Sequence, residues 1–143
     1  MRKRRKFKPI ERLIVYNRAN GCCEYCKIPS DYSNDTYTLE HTLDFSKGGS
    51  DDLRNIAYAC GTCNANKRDY STAFDSVTNS QVPIYNPREQ NWGEHFVWSD
   101  DFCSIIVTTA IGRATVDLLK LNSKALRNLR KALIAIDVHP IEK

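Results

Sequence analysis

Hydrophobic positions recur at helical spacing near both ends of this chain and alternate in short runs between them. After an opening basic run, "KPIERLIVYNRANG" sets Ile10, Leu13, Ile14 and Tyr16–Asn17 along a helical stripe. Pro9 suits a first helical turn, and Gly21 is a natural stop. "IPSDYSNDT" is polar and reads as a loop. "YTLEH" alternates as a short strand, with Tyr37 and Leu39 on one face and Glu40 on the other. "SKGGSDDL" is a Gly-rich turn region and "NIAYAC" a second short strand. "GTCNANKRDYSTAF" predicts a helix with Cys63, Asn64 and Lys67 in its first two turns.

The last third has a different pattern. "SVTNSQVPIYNPREQN" is loop-like, while "HFVWS" and "CSIIVTT" predict a hairpin across "DD". "GRATVDLLKLN" and "SKALRNLRKALIAI" predict two helices. The second has an apolar stripe at Leu126, Leu129, Leu133 and Ile136, read as core packing, and a basic side at Lys124, Arg127 and Lys131, read as a solvated face with phosphate contact as the lesser alternative. The expected class is α+β: a strand–loop–strand–helix core, an N-terminal helix, and a C-terminal β-hairpin plus helices. The expected division is a basic flexible arm over 1–8, a core over 9–75, and an extension packed on it over 76–143.

Composition narrows the class. A hydrophobic fraction of 41% and a charged fraction of 27% describe a water-soluble globular chain of one domain's length, 143 residues. No apolar run approaches the roughly 18 residues of a membrane helix. Glu11 and Arg12 break what would be a signal segment, so a cytoplasmic location is expected. The net charge of +4 is unevenly spread: Arg2, Lys3, Arg4, Arg5, Lys6 and Lys8 are six cations, and taking six from +4 leaves −2 for the remainder. Such an arm suits salt-dependent contact with nucleic-acid phosphates; a solvated tail without a ligand is the plainer alternative.

The cysteines change the picture most. Cys23-Glu24-Tyr25-Cys26 and Cys60-Gly61-Thr62-Cys63 are two CxxC turns. Each aims two thiolates at one point, and together they supply four soft ligands for one structural, tetrahedral zinc per chain. A disulfide scaffold is the rival reading, disfavoured in a reducing compartment. Cys22 and Cys103 are left over and read as small, partly buried hydrophobes.

Zinc held by four cysteines is coordinatively closed, so catalysis needs other residues. Glu40, His41, Asn55 and Asn64 lie between and just beyond the cysteine pairs. Their oxygens suit a hard cation such as Mg²⁺ or Mn²⁺, and an imidazole suits general-base work. Together they are equipped for metal-assisted attack of water on a phosphodiester.

The stretch "RANGCCEYC…LEHTLDFSKGGSDDLRNIAYACGTCNANK", about residues 12 to 70, resembles an HNH endonuclease of the ββα-metal (His-Me finger) class with a four-cysteine structural zinc. The resemblance implies a DNA-cutting or nicking enzyme with His41 as general base. It implies that Asn55 pins the loop that orients His41, and that Glu40 and Asn64 ligate a catalytic Mg²⁺ or Mn²⁺. Arg2, Lys3, Arg4, Arg5, Lys6, Lys47 and Lys67 become candidate nucleic-acid contacts. Lys67, one turn after Asn64, either reaches a phosphate or is an ordinary surface lysine. The chain departs from the commonest family form twice: Glu40 replaces Asp, and Asp44 stands where a proline follows the histidine. Asp44 repels DNA, helps hold the cation, or simply faces solvent. Two alternatives to a DNA nuclease stay open: a zinc-organised DNA-binding or assembly module without cleavage, and an RNA-directed nuclease. The short chain lacks an obvious separate recognition domain, so the expectation is weak intrinsic sequence specificity, or specificity lent by a homodimer or a partner protein.

Among the remaining residues, His95 is expected to be structural, His139 exposed, and Asp51 and Asp52 turn formers. Trp92, Phe96 and Trp98 are expected to pack rather than stack on bases. That tail, with "GRATVDLLKLN", resembles a C-terminal extension of some small bacterial and phage-type HNH proteins.

Overall fold

The computed structural model describes residues 5–141; Arg2, Lys3 and Arg4 lie outside them. Helix α1 (Pro9–Arg18) opens with Pro9 at its first turn, where a missing N–H costs nothing, and Glu11 accepts a hydrogen bond from the Lys8 N–H. Its predicted stripe does not face the core. Val15 is buried, whereas Ile10, Leu13 and Ile14 are exposed.

Strand β1 (Tyr37–His41) pairs antiparallel with β2 (Ile56–Cys60), and α2 (Gly61–Lys67) follows at once. The register sets Tyr37 opposite Cys60 and His41 opposite Ile56. This ββα unit is the expected centre of an α+β fold. The helix is shorter than its sequence suggests. Arg68 has φ +52°, which ends α2, and the expected helical "STAF" is instead strand β3 (Thr72–Asp75). It pairs with β4 (Ser80–Pro83), inside a stretch that reads as loop. Asp75 closes the turn by accepting hydrogen bonds from the Thr78 N–H and hydroxyl, and Asn79 takes a left-handed conformation. The expected boundary at 75/76 therefore falls inside a hairpin.

Strand β5 (Phe96–Trp98) pairs with β6 (Ile105–Val107), and helices α3 (Ala110–Leu119) and α4 (Lys124–Ala135) complete the chain. On α4, Leu133 is buried and Leu126 and Leu129 pack against the core, while Ile136 and the basic residues Lys124, Arg127 and Lys131 are exposed. One hydrophobic cluster joins Cys23, Tyr25, Ile28 and Ala59 to Phe96, Ile105, Leu119 and Leu133. The C-terminal half thus shares its core with the ββα unit. A second, smaller cluster of Ala73, Ile84 and Ala114 sits under the β3–β4 hairpin. Arg113 ties that hairpin to α3 through a two-point ion pair with Asp75, at 2.8 and 3.1 Å.

One buried cation joins the halves. Arg130 of α4 is fully buried and donates to the Cys26 carbonyl and the Cys103 carbonyl, each at 3.1 Å. Its guanidinium also lies over the Trp98 ring, 5.3 Å from the centroid. Arg130→Ala is expected to cost about 3 kcal/mol or more, because two carbonyls lose donors and a cavity opens. Arg130→Met restores volume without the donors and should recover only part of that loss. Chemical denaturation of both variants measures it, and full recovery by Met would reduce the guanidinium to a space filler.

Candidate active site and metal cluster

The four CxxC thiols meet. Cys23, Cys26, Cys60 and Cys63 are all buried, and their sulfurs lie within 4.8 Å of one another, as a tetrahedral four-cysteine site requires. Two backbone N–H groups stabilise the sulfurs: Cys26 N–H points at Cys23 Sγ (3.5 Å) and Cys63 N–H at Cys60 Sγ (3.3 Å). Cys60 is also the residue that caps α2. The donor set and its closure fit zinc.

The acid–histidine pair sits at the other end of the ladder. Tyr37, beside the cluster, and His41 are four residue steps apart along the strand, a span of roughly 13 Å at about 3.3 Å per residue. A metal at the cysteines is too far away to touch chemistry at His41. Neighbours on a strand face opposite ways, and Glu40 and His41 do so.

His41 Nε2 lies 2.7 Å from Asp51 Oδ1. Its Nδ1 carries no hydrogen bond among the described residues, and Phe45 stands edge-on 5.8 Å away. If Nε2–H donates to Asp51, the imidazole lone pair resides on Nδ1. The loop over His41 is pinned by Asn55. Its Oδ1 accepts from the Thr42 hydroxyl (2.6 Å) and the Leu43 N–H (2.9 Å). Its Nδ2 donates to the Leu43 carbonyl (3.0 Å) and the Ser50 carbonyl (2.8 Å). Gly49 permits the tight path: a Cβ there would lie 1.7 Å from the Leu43 carbonyl oxygen. Gly48, at φ +83°, closes the one-turn helix Phe45–Lys47.

Glu40 faces inward. It is 7% exposed, accepts from the Tyr25 hydroxyl at 3.1 Å, and lies 3.5 Å from Lys67 Nζ. Burial pushes its carboxyl up to about 7, against the pull of Lys67. Lys67 is 1% exposed and also donates to the His41 carbonyl (3.3 Å). It is neither a surface lysine nor placed to reach a phosphate, which corrects both sequence alternatives. A lysine normally keeps its head group in water; this one is buried because Glu40 and a carbonyl receive it. Asn64 precedes Lys67 by three residues, so it shares that face of α2. Its side chain is half-buried and has no hydrogen bond among the described residues. A buried carboxylate and a spare amide oxygen on one side of the unit suit a hard, partly hydrated cation.

Asp44 caps the short helix Phe45–Lys47, accepting from the Ser46 N–H (2.9 Å) and hydroxyl (2.6 Å). Arg5 reaches the same loop: its guanidinium donates to the Asp51 carbonyl (2.8 and 3.1 Å) and pairs with Glu11. The described end of the basic arm is therefore tethered beside His41. Lys6 and Lys47 are exposed, and Lys47 is on the active-site loop.

Residues 23–69 match the family model described as HNH endonuclease. That segment, about a third of the chain, is similar to the HNH endonuclease family. No curated protein and no solved structure matches the chain. HNH domains are generally endonucleases acting on DNA, and the matched segment contains every residue assigned above except Arg5, Lys6 and Glu11. No helix among the described residues is long and apolar enough to cross a membrane.

Sequence reasoning missed Asp51 as the partner of His41 and Tyr25 as a partner of Glu40. "SDD" carries only turn signals, and a contact across a ten-residue loop leaves no periodicity. His139, expected to be exposed, is buried: its Nε2 lies 2.9 Å from the Phe102 carbonyl and its ring stands edge-on to Trp98 at 4.6 Å. His95 is structural as read, its Nδ1 2.6 Å from the Thr109 hydroxyl.

Asn55→Ala removes four hydrogen bonds from the loop, most of them near solvent. The expected loss is about 1–2 kcal/mol, with faster amide hydrogen exchange at Leu43 and unchanged exchange in α4. Uniform acceleration over the whole chain would mean that Asn55 acts on the core rather than on the loop.

Proposed function

We propose that the HNH segment is a metal-dependent endonuclease that hydrolyses DNA phosphodiester bonds, with His41 as general base. The observation that carries this reading is the His41–Asp51 contact beneath a loop held by Asn55. That arrangement fixes the imidazole with Nδ1 unengaged. Nδ1 takes a proton from water, the water oxygen attacks phosphorus, and the bond to the 3′ oxygen breaks, that oxygen taking a proton from solvent. The products are a 5′-phosphate and a 3′-hydroxyl. Glu40 and Asn64 would hold Mg²⁺ or Mn²⁺, which supplies charge neutralisation at the phosphoryl group and leaving oxygen. Asp51 orients the base and receives the charge that develops on it. Arg5, Lys6 and Lys47, with the arm residues Arg2, Lys3 and Arg4, supply phosphate contacts around the site. The chain acts in the cytoplasm, and a homodimer or a partner protein lends it specificity. Four-cysteine coordination of zinc holds the unit together and takes no part in the reaction.

One observation favours the non-catalytic DNA-binding or assembly module as a second reading. Glu40 is already neutralised by Lys67 and engaged by Tyr25, so a cation must compete for it.

Two measurements decide. Metal analysis of purified protein should find about one zinc per chain, lost together with the cooperative melt in Cys23→Ser or Cys60→Ser. A full melt without zinc would remove its structural role. Supercoiled plasmid with Mg²⁺ or Mn²⁺ should be nicked or cut, with the rate falling about 10²- to 10⁴-fold in His41→Ala and by less in Asp51→Asn. Equal rates in wild type and His41→Ala would exclude His41 as the base. Tight plasmid binding without cleavage would establish the module, and cleavage confined to an RNA substrate would establish an RNA-directed enzyme.

A further inference from the structure

A cavity of about 640 Å³ opens on the zinc side of the molecule, between the end of α1, the first cysteine turn, β5 and the C-terminal segment. None of its lining residues belongs to β1, the 42–55 loop or α2, so it is separate from the His41 site. Its size falls within the range of small-ligand pockets. Both tryptophans of the chain line it, and their rings lie 5.1 Å apart at 36°.

Those rings are fixed before any ligand arrives. Trp92 Nε1 donates to the Tyr25 carbonyl at 3.4 Å, and Trp98 is backed by Arg130 and braced edge-on by His139. Lys27 places its ammonium 5.4 Å from the Trp92 centroid, at the cavity wall. Trp98 Nε1 and the Asn20 amide, both on residues lining the cavity, have no hydrogen-bond partner among the described residues. No acidic side chain lines the cavity, although the chain beyond its basic arm is net acidic. Lys27 and Arg130 each lie over one indole face, so the walls offer the remaining indole surface, N–H donors and a cation, and no acidic side chain lines them. A ligand that matches all three is a planar heteroaromatic ring joined to an anionic group.

We propose that this cavity is a nucleotide-binding site, in which the base packs on the tryptophan pair and the phosphate lies toward Lys27. The proposal goes beyond the nuclease reading and uses none of its residues. The ligand is either a free nucleotide or one nucleotide of a single strand.

The two tryptophans make the test direct. The full-length, zinc-loaded chain is titrated with adenosine 5′-monophosphate, adenosine, inorganic phosphate and a short single-stranded oligodeoxynucleotide. Tryptophan fluorescence is followed and calorimetry serves as the check. The His41→Ala chain is run in parallel to keep the strand intact and to separate this site from catalysis. Saturable quenching by adenosine monophosphate, weakened about tenfold or more by Lys27→Glu, supports a free nucleotide. Quenching by the oligonucleotide alone, with the same Lys27→Glu sensitivity, supports a strand nucleotide. Gly93→Leu is a second variant: Gly93 lines the cavity and a Cβ there meets nothing within 4 Å, so the added side chain narrows the site without straining the fold. It should weaken the same binding. No saturable quenching by either nucleotide probe overturns the proposal. So does quenching indifferent to both variants, or adenosine binding as tightly as its monophosphate. Loss of plasmid cleavage in His41→Ala with quenching retained leaves the cavity assignment standing on its own.

Discussion

The four-cysteine cluster is the constraint on which the rest of the molecule depends. It joins two turns far apart in sequence, with Cys26 and Cys60 sulfurs 3.8 Å apart across 34 residues. The first turn follows α1, and the second joins β2 to α2, so the cluster fixes α1 to the ββα unit. Four thiolates around one divalent cation would leave two net negative charges in a buried place. Arg130 lies against that place, with Cys26, Cys63 and Cys23 among the charges acting on it. Among the described residues, no carboxylate pairs with it. A buried guanidinium without a carboxylate is costly unless something else answers its charge. Burial still lowers the Arg130 pKa, and the Cys26, Cys63 and Cys23 thiols oppose that shift, which favours seating α4 beside the cysteine cluster. The C-terminal half is therefore coupled electrostatically to the cysteine cluster as well as sharing the core.

Order then travels from the cluster to the candidate base along the β1–β2 ladder. The near end is held by sulfur and apolar packing. The far end is held almost wholly by polar groups: the Asn55 amide, the Asp44 and Asp52 caps, and the Asp51 carboxylate on His41. Leu43, at the start of that loop, is exposed. A loop built this way has little hydrophobic reason to stay closed, so its local stability is set by a few hydrogen bonds and not by the core. That division would suit the proposed nuclease, whose site has to open to a strand while His41 keeps one orientation.

Much of this was legible in the sequence because the signals were local. The CxxC spacings, the "YTLEH" and "NIAYAC" strands and the "SKGG" turn each carry their own chemistry, and the structure realises them together. Three failures have a common cause, which is that burial ran against residue type. In β3 the pattern is period two, yet Ala73 and Asp75 are buried while Phe74 is exposed. Asp75 is inside because Arg113 and Thr78 receive it, and those partners are remote or unremarkable in sequence. In α1 the apolar stripe points outward. Lys67 is buried, against all expectation for a lysine, because Glu40 lies across the unit from it. Pairs of this kind leave no periodicity, so only the folded chain reveals them.

The two departures from the usual family pattern have unequal consequences. Asp44 has φ −57° and ψ 144°, a φ close to the one a proline ring imposes and a ψ that proline readily adopts. The loop path is therefore the one a proline would give. The carboxylate that replaces the ring is taken up by Ser46, and so acts as a helix cap before it acts as a field at the active site. Glu40 is the more consequential change. Its carboxylate sits deep enough to meet Tyr25 and Lys67, and burial raises its pKa to about 7. A cation offered to Glu40 must therefore displace either a proton or the lysine contact. Under the proposed reading the cost of seating a cation would fall on Glu40, while the geometry of the loop over His41 is left intact.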